Sequence, residues 1–113
     1  EDIDFAEVHD CFTIAELLTY EAMGLAPKGQ GARALEDGTV YRGGALPVNL
    51  SGGLKAKGHP VGATGVSMHA LAFRQLTNQA GDLQVPGAEL GLLFNMGGSA
   101  VANYVSVLEA RKV

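Results

Sequence analysis

Apolar and polar positions change period several times along the chain, and each change marks an element. Ile3, Phe5, Ala6 and Val8 come close to alternating with acidic residues, the period of a partly buried strand. Thr13-Ile14-Ala15-Glu16 then has the spacing of a capping box, with Phe12 and Leu17 in the positions of a hydrophobic staple. Ile14, Leu17, Leu18, Ala22 and Leu25 recur on one helical face, and Gly24 is placed to close the helix. Residues 4 to 24 therefore read as strand, sharp turn, helix.

Periodicity fades over residues 26 to 44, where Pro27, Gly29, Gly31, Gly38, Gly43 and Gly44 predict a long surface excursion with one helical turn near Ala32 to Glu36. Leu46 to Leu50 is a short strand candidate. From about Gly62 to Asn78 helical spacing returns through Val66, Ala70, Leu71, Phe73 and Leu76, and Gly81 is expected to end it. Ala88 to Met96 and Ala100 to Leu108 are apolar, β-rich runs joined through Gly97-Gly98-Ser99, the pattern of neighbouring antiparallel strands. The predicted order is βαβαββ, a layered α/β fold whose mixed sheet ends in an antiparallel pair.

Composition narrows the class. With 113 residues, 47% hydrophobic and 18% charged, the chain is one domain with a core rather than a disordered segment. Sixteen glycines are roughly twice the usual share and follow no three-residue period, which leaves tight loops and excludes collagen. A net charge of -4 argues against nucleic acid, and no apolar run approaches the ~20 residues that span a bilayer. One cysteine permits no internal disulfide and suits a reducing compartment. The C-terminal Arg111-Lys112-Val113 is not a Ser-Lys-Leu-type address, so the cytoplasm is the expected location. The chain begins with Glu1, not Met, and is expected to be a piece of a longer protein.

Three places carry candidate chemistry. Cys11 sits just ahead of the first helix, where the helix dipole favours a thiolate, and His9 lies two residues before it. The pair reads equally as a small buried apolar residue and a satisfied polar one. In Gly58-His59-Pro60-Val61-Gly62-Ala63-Thr64-Gly65 a histidine is fixed before proline in an exposed turn that a ligand can approach, or the glycines serve geometry alone. The string lacks the Gly-Lys-Ser/Thr ending of a P-loop and the Gly-x-Gly-x-x-Gly of a dinucleotide site. Phe94-Asn95-Met96-Gly97-Gly98-Ser99 is either a plain hairpin turn or a source of backbone N–H groups for an oxyanion. His9, Cys11 and His59 have no metal-ligand spacing, so no metal is expected, and His69 reads as structural within its helix. Lys28, Arg33, Arg42, Lys55 and Lys57 could meet phosphates or simply be solvated.

Taken together, Val8-His9-Asp10-Cys11-Phe12, Asn49-Leu50-Ser51-Gly52-Gly53 running into Gly58-His59-Pro60, and Asn95-Met96-Gly97-Gly98 resemble the C-terminal half of thiolase-superfamily enzymes. The likeness covers nearly the whole chain and is strongest to the sterol-carrier-protein-X-type and archaeal-type acetyl-CoA acetyltransferases. It implies a thiolase-like layered fold and reversible Claisen condensation or cleavage of acyl-CoA thioesters. It also implies no cofactor beyond the coenzyme A thioester substrate, and a nucleophilic cysteine in an N-terminal half that is absent here. By the same resemblance His59 activates the nucleophile and holds the enolate oxyanion, His9 supports that oxyanion hole, and Phe12 lines the acyl pocket. Gly97 offers its N–H to a second oxyanion hole, and Asn49 and Gly58 are expected at the substrate. Ordinary thiolases carry an acid/base cysteine where this chain has Asn95. The sterol-carrier-X branch places that cysteine in His-Asp-Cys-Phe, which is Cys11.

A thiolase-like aldolase or lyase of the steroid side-chain type, some of which work with a small acyl-CoA-binding partner, is the alternative reaction. A non-catalytic acyl-CoA- or lipid-binding subunit is the alternative outside enzymes. The fragment alone is expected to be inactive, to expose apolar helix surface, and to belong to a homo-oligomer, dimer or tetramer.

Overall fold

The computed structural model describes residues 2–111, so Glu1 and the last two residues of the Arg111-Lys112-Val113 terminus lie outside the described residues. The element order is β1 (Phe5–Val8), α1 (Thr13–Ala22), α2 (Arg33–Glu36), α3 (Gly53–Lys57), α4 (Thr64–Leu76), a 3-10 turn at Gly81–Leu83, β2 (Leu90–Gly97) and β3 (Ala102–Glu109). The sheet runs β1-β2-β3, with β1 parallel to β2 and β2 antiparallel to β3. Layered α/β architecture and a mixed sheet are thus what the molecule has.

Alternation along the strands divides the core in two. Ala6 and Val8 of β1, with Leu92 and Phe94 of β2, pack against Tyr20 and Leu17 of α1. Phe5 and Leu93 face the other way, onto Met68 and Ala72 of α4. With a helix on each face and β2 alongside, every residue of β1 is buried, including Glu7, so the expected half-exposed alternation is absent. Register is pinned by shape: Phe5 is paired with Gly91, and a Cβ on Gly91 would collide with the Phe5 ring.

The strand expected at Leu46 to Leu50 is reduced to one parallel bridge, Ala6 to Val48. Pro47 has no N–H to give a ladder, and Asn49 turns into the left-handed region at φ 54°, which ends the pairing. Residues 26 to 44 are not a purely surface excursion. They form α2 and bury Ala34 and Val40 in the cluster around Tyr20.

The capping box also fails. Phe12 is the N-cap of α1 and no side chain caps the helix. Glu16 is taken instead by longer-range partners, accepting from Tyr20 Oη at 2.7 Å and Asn49 Nδ2 at 3.1 Å. The staple is absent too, because Phe12 is 71% exposed. The other end is as expected: Gly24 at φ 76° follows the helix, its N–H on Glu21 O and that of Leu25 on Tyr20 O, a Schellman closure. Helix α4 ends earlier than Gly81, where Asn78 adopts φ 56°.

Both long helices bury a face other than the most apolar one. Thr19 and Tyr20 are the buried residues of α1, while Ile14 and Leu18 are more than half exposed. Thr19 and Tyr20 enter the core because their hydroxyls are satisfied within the helix, on Ala15 O and Glu16. In α4, Val66 and Phe73 are likewise exposed, and Val105 and Val107 present an uncovered apolar face on β3.

Adding one methyl at the pinned register position tests this packing. Gly91→Ala should cost about 1–3 kcal/mol by overpacking against Phe5. Urea unfolding of the full-length protein reads it, and an unchanged midpoint would refute the ring-on-glycine contact.

Candidate active site

The strand end of β1 delivers His9-Asp10-Cys11 to one edge of the sheet, and the loop after α3 brings His59 to the same place. What fixes that loop is a pair of carboxylates on the β1 side. Glu7 Oε2 accepts from Ser51 Oγ at 2.7 Å and Oε1 from the Ser51 N–H at 3.3 Å, and Ser51 Oγ accepts the Gly53 N–H. Asp10, only 3% exposed, accepts the Leu54 N–H at 2.7 Å and receives Lys55 Nζ on its backbone and carboxylate oxygens. Gly53 lies at φ 63° with the Asp10 carboxylate where a Cβ would stand, so the position admits glycine alone. Charge-assisted bonds of this kind contribute about 1.5–3 kcal/mol each. The Ser-Gly-Gly string is therefore a seat for two buried acids.

Burial pushes the Glu7 carboxyl above the usual glutamate range, and the bonds from Ser51 and the Lys57 charge oppose that rise only in part. Lys57 itself donates to Ser67 Oγ at 3.0 Å, and Lys55 reaches Glu16 at 3.7 Å as well as Asp10. These two lysines are committed within the fold.

An open cleft of about 910 Å³ forms where these segments meet, and His9, Cys11, Phe12, His59 and Gly97 all line it. The thiol and the imidazole forty-eight positions apart in sequence thus face one space. The rings of His9 and His59 stand edge to face, centroids 4.9 Å apart at 85°. Cys11 is partly exposed and directly precedes the N-cap of α1, one residue nearer the helix than the capping-box reading placed it.

Each histidine has Nδ1 tied to the protein. Asn95 Oδ1 can only accept, so His9 donates Nδ1–H to it at 2.6 Å. His69 donates Nδ1–H to Gly65 O at 2.7 Å, and its Nε2 meets Ser106 Oγ at 3.2 Å. Though His69 lines the cleft, both its nitrogens are engaged, in keeping with a structural role. His59 Nδ1 lies 2.6 Å from Thr64 Oγ1. Nε2 of His9 and of His59 makes no hydrogen bond among the described residues.

Two residues expected at the substrate do not line this cleft. Asn49 does not line the cleft: its Oδ1 accepts the Val8 N–H at 2.8 Å and its Nδ2 donates to Glu16, so the amide ties β1 to α1. Gly58 also lies outside the cleft wall, where its N–H closes α3 on Leu54 O. Thr64 and Asn95 are the supports that sequence reasoning did not assign. In the sequence Asn95 is legible as part of a turn motif and as a missing cysteine, and Thr64 only as a member of the Gly58 to Gly65 string. Among the described residues no group of three or more His, Cys, Asp or Glu is gathered to hold a metal.

This fold and this cleft define a thiolase-type C-terminal domain. A family model described as "Thiolase C-terminal domain-like" matches residues 1–110. The chain belongs to that family. It is 53% identical over 98 residues to the acetyl-CoA acetyltransferase of Methanothermobacter thermautotrophicus, covering 87% of this chain and 26% of that protein. It is 54% identical over 101 residues to human sterol carrier protein 2, covering 88% of this chain and 18% of that one. The benzoylsuccinyl-CoA thiolase subunit BbsB of Thauera aromatica is 47% identical over 85 residues, 75% of this chain and 22% of its own length. Among solved structures the fold is similar to the Ltp2-ChsH2(DUF35) aldolase at TM-score 0.78 and 25% identity, over 98% of this chain and 28% of that chain. The chain spans about a quarter or less of the curated relatives it matches.

The raised Glu7 gives a pH signature. Its native carboxyl binds a proton more readily than the unfolded one, so its contribution to stability is full below the unfolded value and lost as pH rises through the native value. Glu7→Gln should therefore melt with a weaker dependence on pH than the full-length wild type as pH rises above the ordinary glutamate range. Identical slopes in the two proteins would contradict the buried-acid assignment.

Proposed function

We propose that the full-length protein is an acyltransferase of the acetyl-CoA acetyltransferase type, catalysing reversible Claisen condensation or thiolytic cleavage of acyl-CoA thioesters. The observation that carries this reading is the convergence of Cys11, His59, His9 and Gly97 on one cleft. The names of the archaeal and Thauera relatives support the reaction class.

The chemistry requires a group that removes the α-proton of a thioester and later returns it. Cys11 is that acid/base: as thiolate it takes the proton, leaving an enolate whose negative oxygen needs donors. His59 draws the proton from the nucleophilic thiol expected in the upstream part of the protein and donates the resulting Nε2–H to that oxygen, and His9, whose Nε2 carries no hydrogen in the neutral ring, supports it through a water. The Gly97 N–H serves the tetrahedral intermediate on the acyl-enzyme. Phe12, exposed at the cleft, contacts the acyl chain. No cofactor other than the coenzyme A thioester is required.

The exposed Ile14, Leu18, Val66, Phe73, Val105 and Val107 are faces for the rest of the chain and for further copies in a homo-oligomer. No helix among the described residues is long and apolar enough to cross a membrane.

A second reading is an acyl-CoA aldolase or lyase assisted by a small acyl-CoA-binding partner, favoured by the structural likeness to the Ltp2-ChsH2(DUF35) aldolase. Mass spectrometry of the full-length protein with acetyl-CoA separates the two. A covalent acetyl adduct supports thiolysis, and its absence favours the aldolase or a binding subunit. For the leading reading, Cys11→Ala should lower the rate of C–C bond formation by about 10²–10⁴-fold. Near-normal turnover would remove Cys11 from the acid/base role.

A further inference from the structure

We infer that Thr64 is a positioning residue that holds His59 in the Nδ1–H tautomer and so keeps Nε2 as the nitrogen that takes and gives the proton in the cleft. The inference rests on the function proposed above, and it concerns a residue given no role there.

Thr64 is buried, 4% exposed, at the first turn of α4, five residues after His59. Its hydroxyl has one hydrogen and two directions to send it. The hydroxyl lies 3.2 Å from Pro60 O, an oxygen that can only accept, and the arrangement we infer sends the hydrogen there. The same hydroxyl oxygen then faces His59 Nδ1 at 2.6 Å with a lone pair, and Nδ1 must donate. The neutral ring is left with an unprotonated Nε2, which makes no hydrogen bond among the described residues, on a side chain lining the cleft.

The consequence is directional. When a thiol in the cleft gives up its hydrogen, the S–H bond breaks, Nε2–H forms, and the pair becomes thiolate and imidazolium. Nδ1–H stays on Thr64 throughout. The new Nε2–H is then the donor an oxyanion needs, and the same nitrogen later returns the proton. Without the Thr64 acceptor the neutral ring could place its hydrogen on Nε2, where it can accept no proton. One oriented hydrogen bond biases such a choice by about fivefold. Pro60 fixes the backbone next to the histidine, and its carbonyl is held in place by the N–H groups of Ala63 and Thr64. The hydroxyl therefore has a fixed acceptor beneath it.

The test uses full-length protein labelled with [15N]histidine at about pH 8.5, where an ordinary imidazole is neutral. The His59 signals are assigned by their loss in His59→Gln. The expected spectrum has a pyrrole-type Nδ1 and a pyridine-type Nε2 for His59. A wild-type spectrum with the types reversed overturns the inference directly and needs no Thr64 variant to fold. Thr64→Val should shift the pattern toward Nε2–H and lower kcat by up to about fivefold with KM little changed, while Thr64→Ser restores both. A valine variant with an unchanged tautomer pattern and full kcat also overturns it. The acyl-adduct measurement is independent of these readouts, so a wrong tautomer and a wrong reaction class give different results.

Discussion

The site depends on two buried acids of one short region, Glu7 and Asp10. Each takes backbone or hydroxyl hydrogens from the Ser51 to Leu54 segment, and together they fix where the following loop can go. His59 reaches His9 only because that loop is seated. Such a seat is expensive in desolvation, as the elevated Glu7 carboxyl shows, and it is tolerated because every buried side-chain oxygen among the described residues has a partner. Gly53 completes it by leaving room for the Asp10 carboxylate. The glycine string that marks the sequence is thus explained by acids far upstream of it, and His59 is a passenger on their geometry.

Much of this was legible in sequence, for identifiable reasons. Helix α4 and the β2–β3 hairpin have local signals strong enough to survive folding. The positions of Cys11 and His59 could be read because each stands at a helix approach or glycine turn, and their meeting in one cleft agrees with the resemblance. Helix α3 was invisible, since it is five residues long and opens on glycine. The capping box misled because Glu16 finds Tyr20 one turn further along the helix, and Asn49 and Lys55, which no local window contains. Asn49 misled in the other direction: it belongs to a recognisable motif, yet its amide and its left-handed backbone serve the junction of β1 and α1.

The exposed apolar stripes of α1, α4 and β3 explain a further mismatch. Helical periodicity correctly found the greasy faces but assigned them to the wrong interior. The core of this chain accepts Thr19, Tyr20, Thr64 and Gln75, whose polar atoms are internally satisfied, while Ile14, Leu18, Val66 and Phe73 point outward. A pattern read from one segment reports that a surface wants covering. It does not report by what.

Phe5 stacked over Gly91 bears on fidelity far from its own position. Because side chains along a strand face opposite sides in turn, sliding β1 by a single residue would send His9 to the side now occupied by Asp10 and drive the acid into the cleft. An aromatic ring on a bare backbone patch works as an indexing pin: the chain is either in the one alignment that assembles the cleft or in none that does.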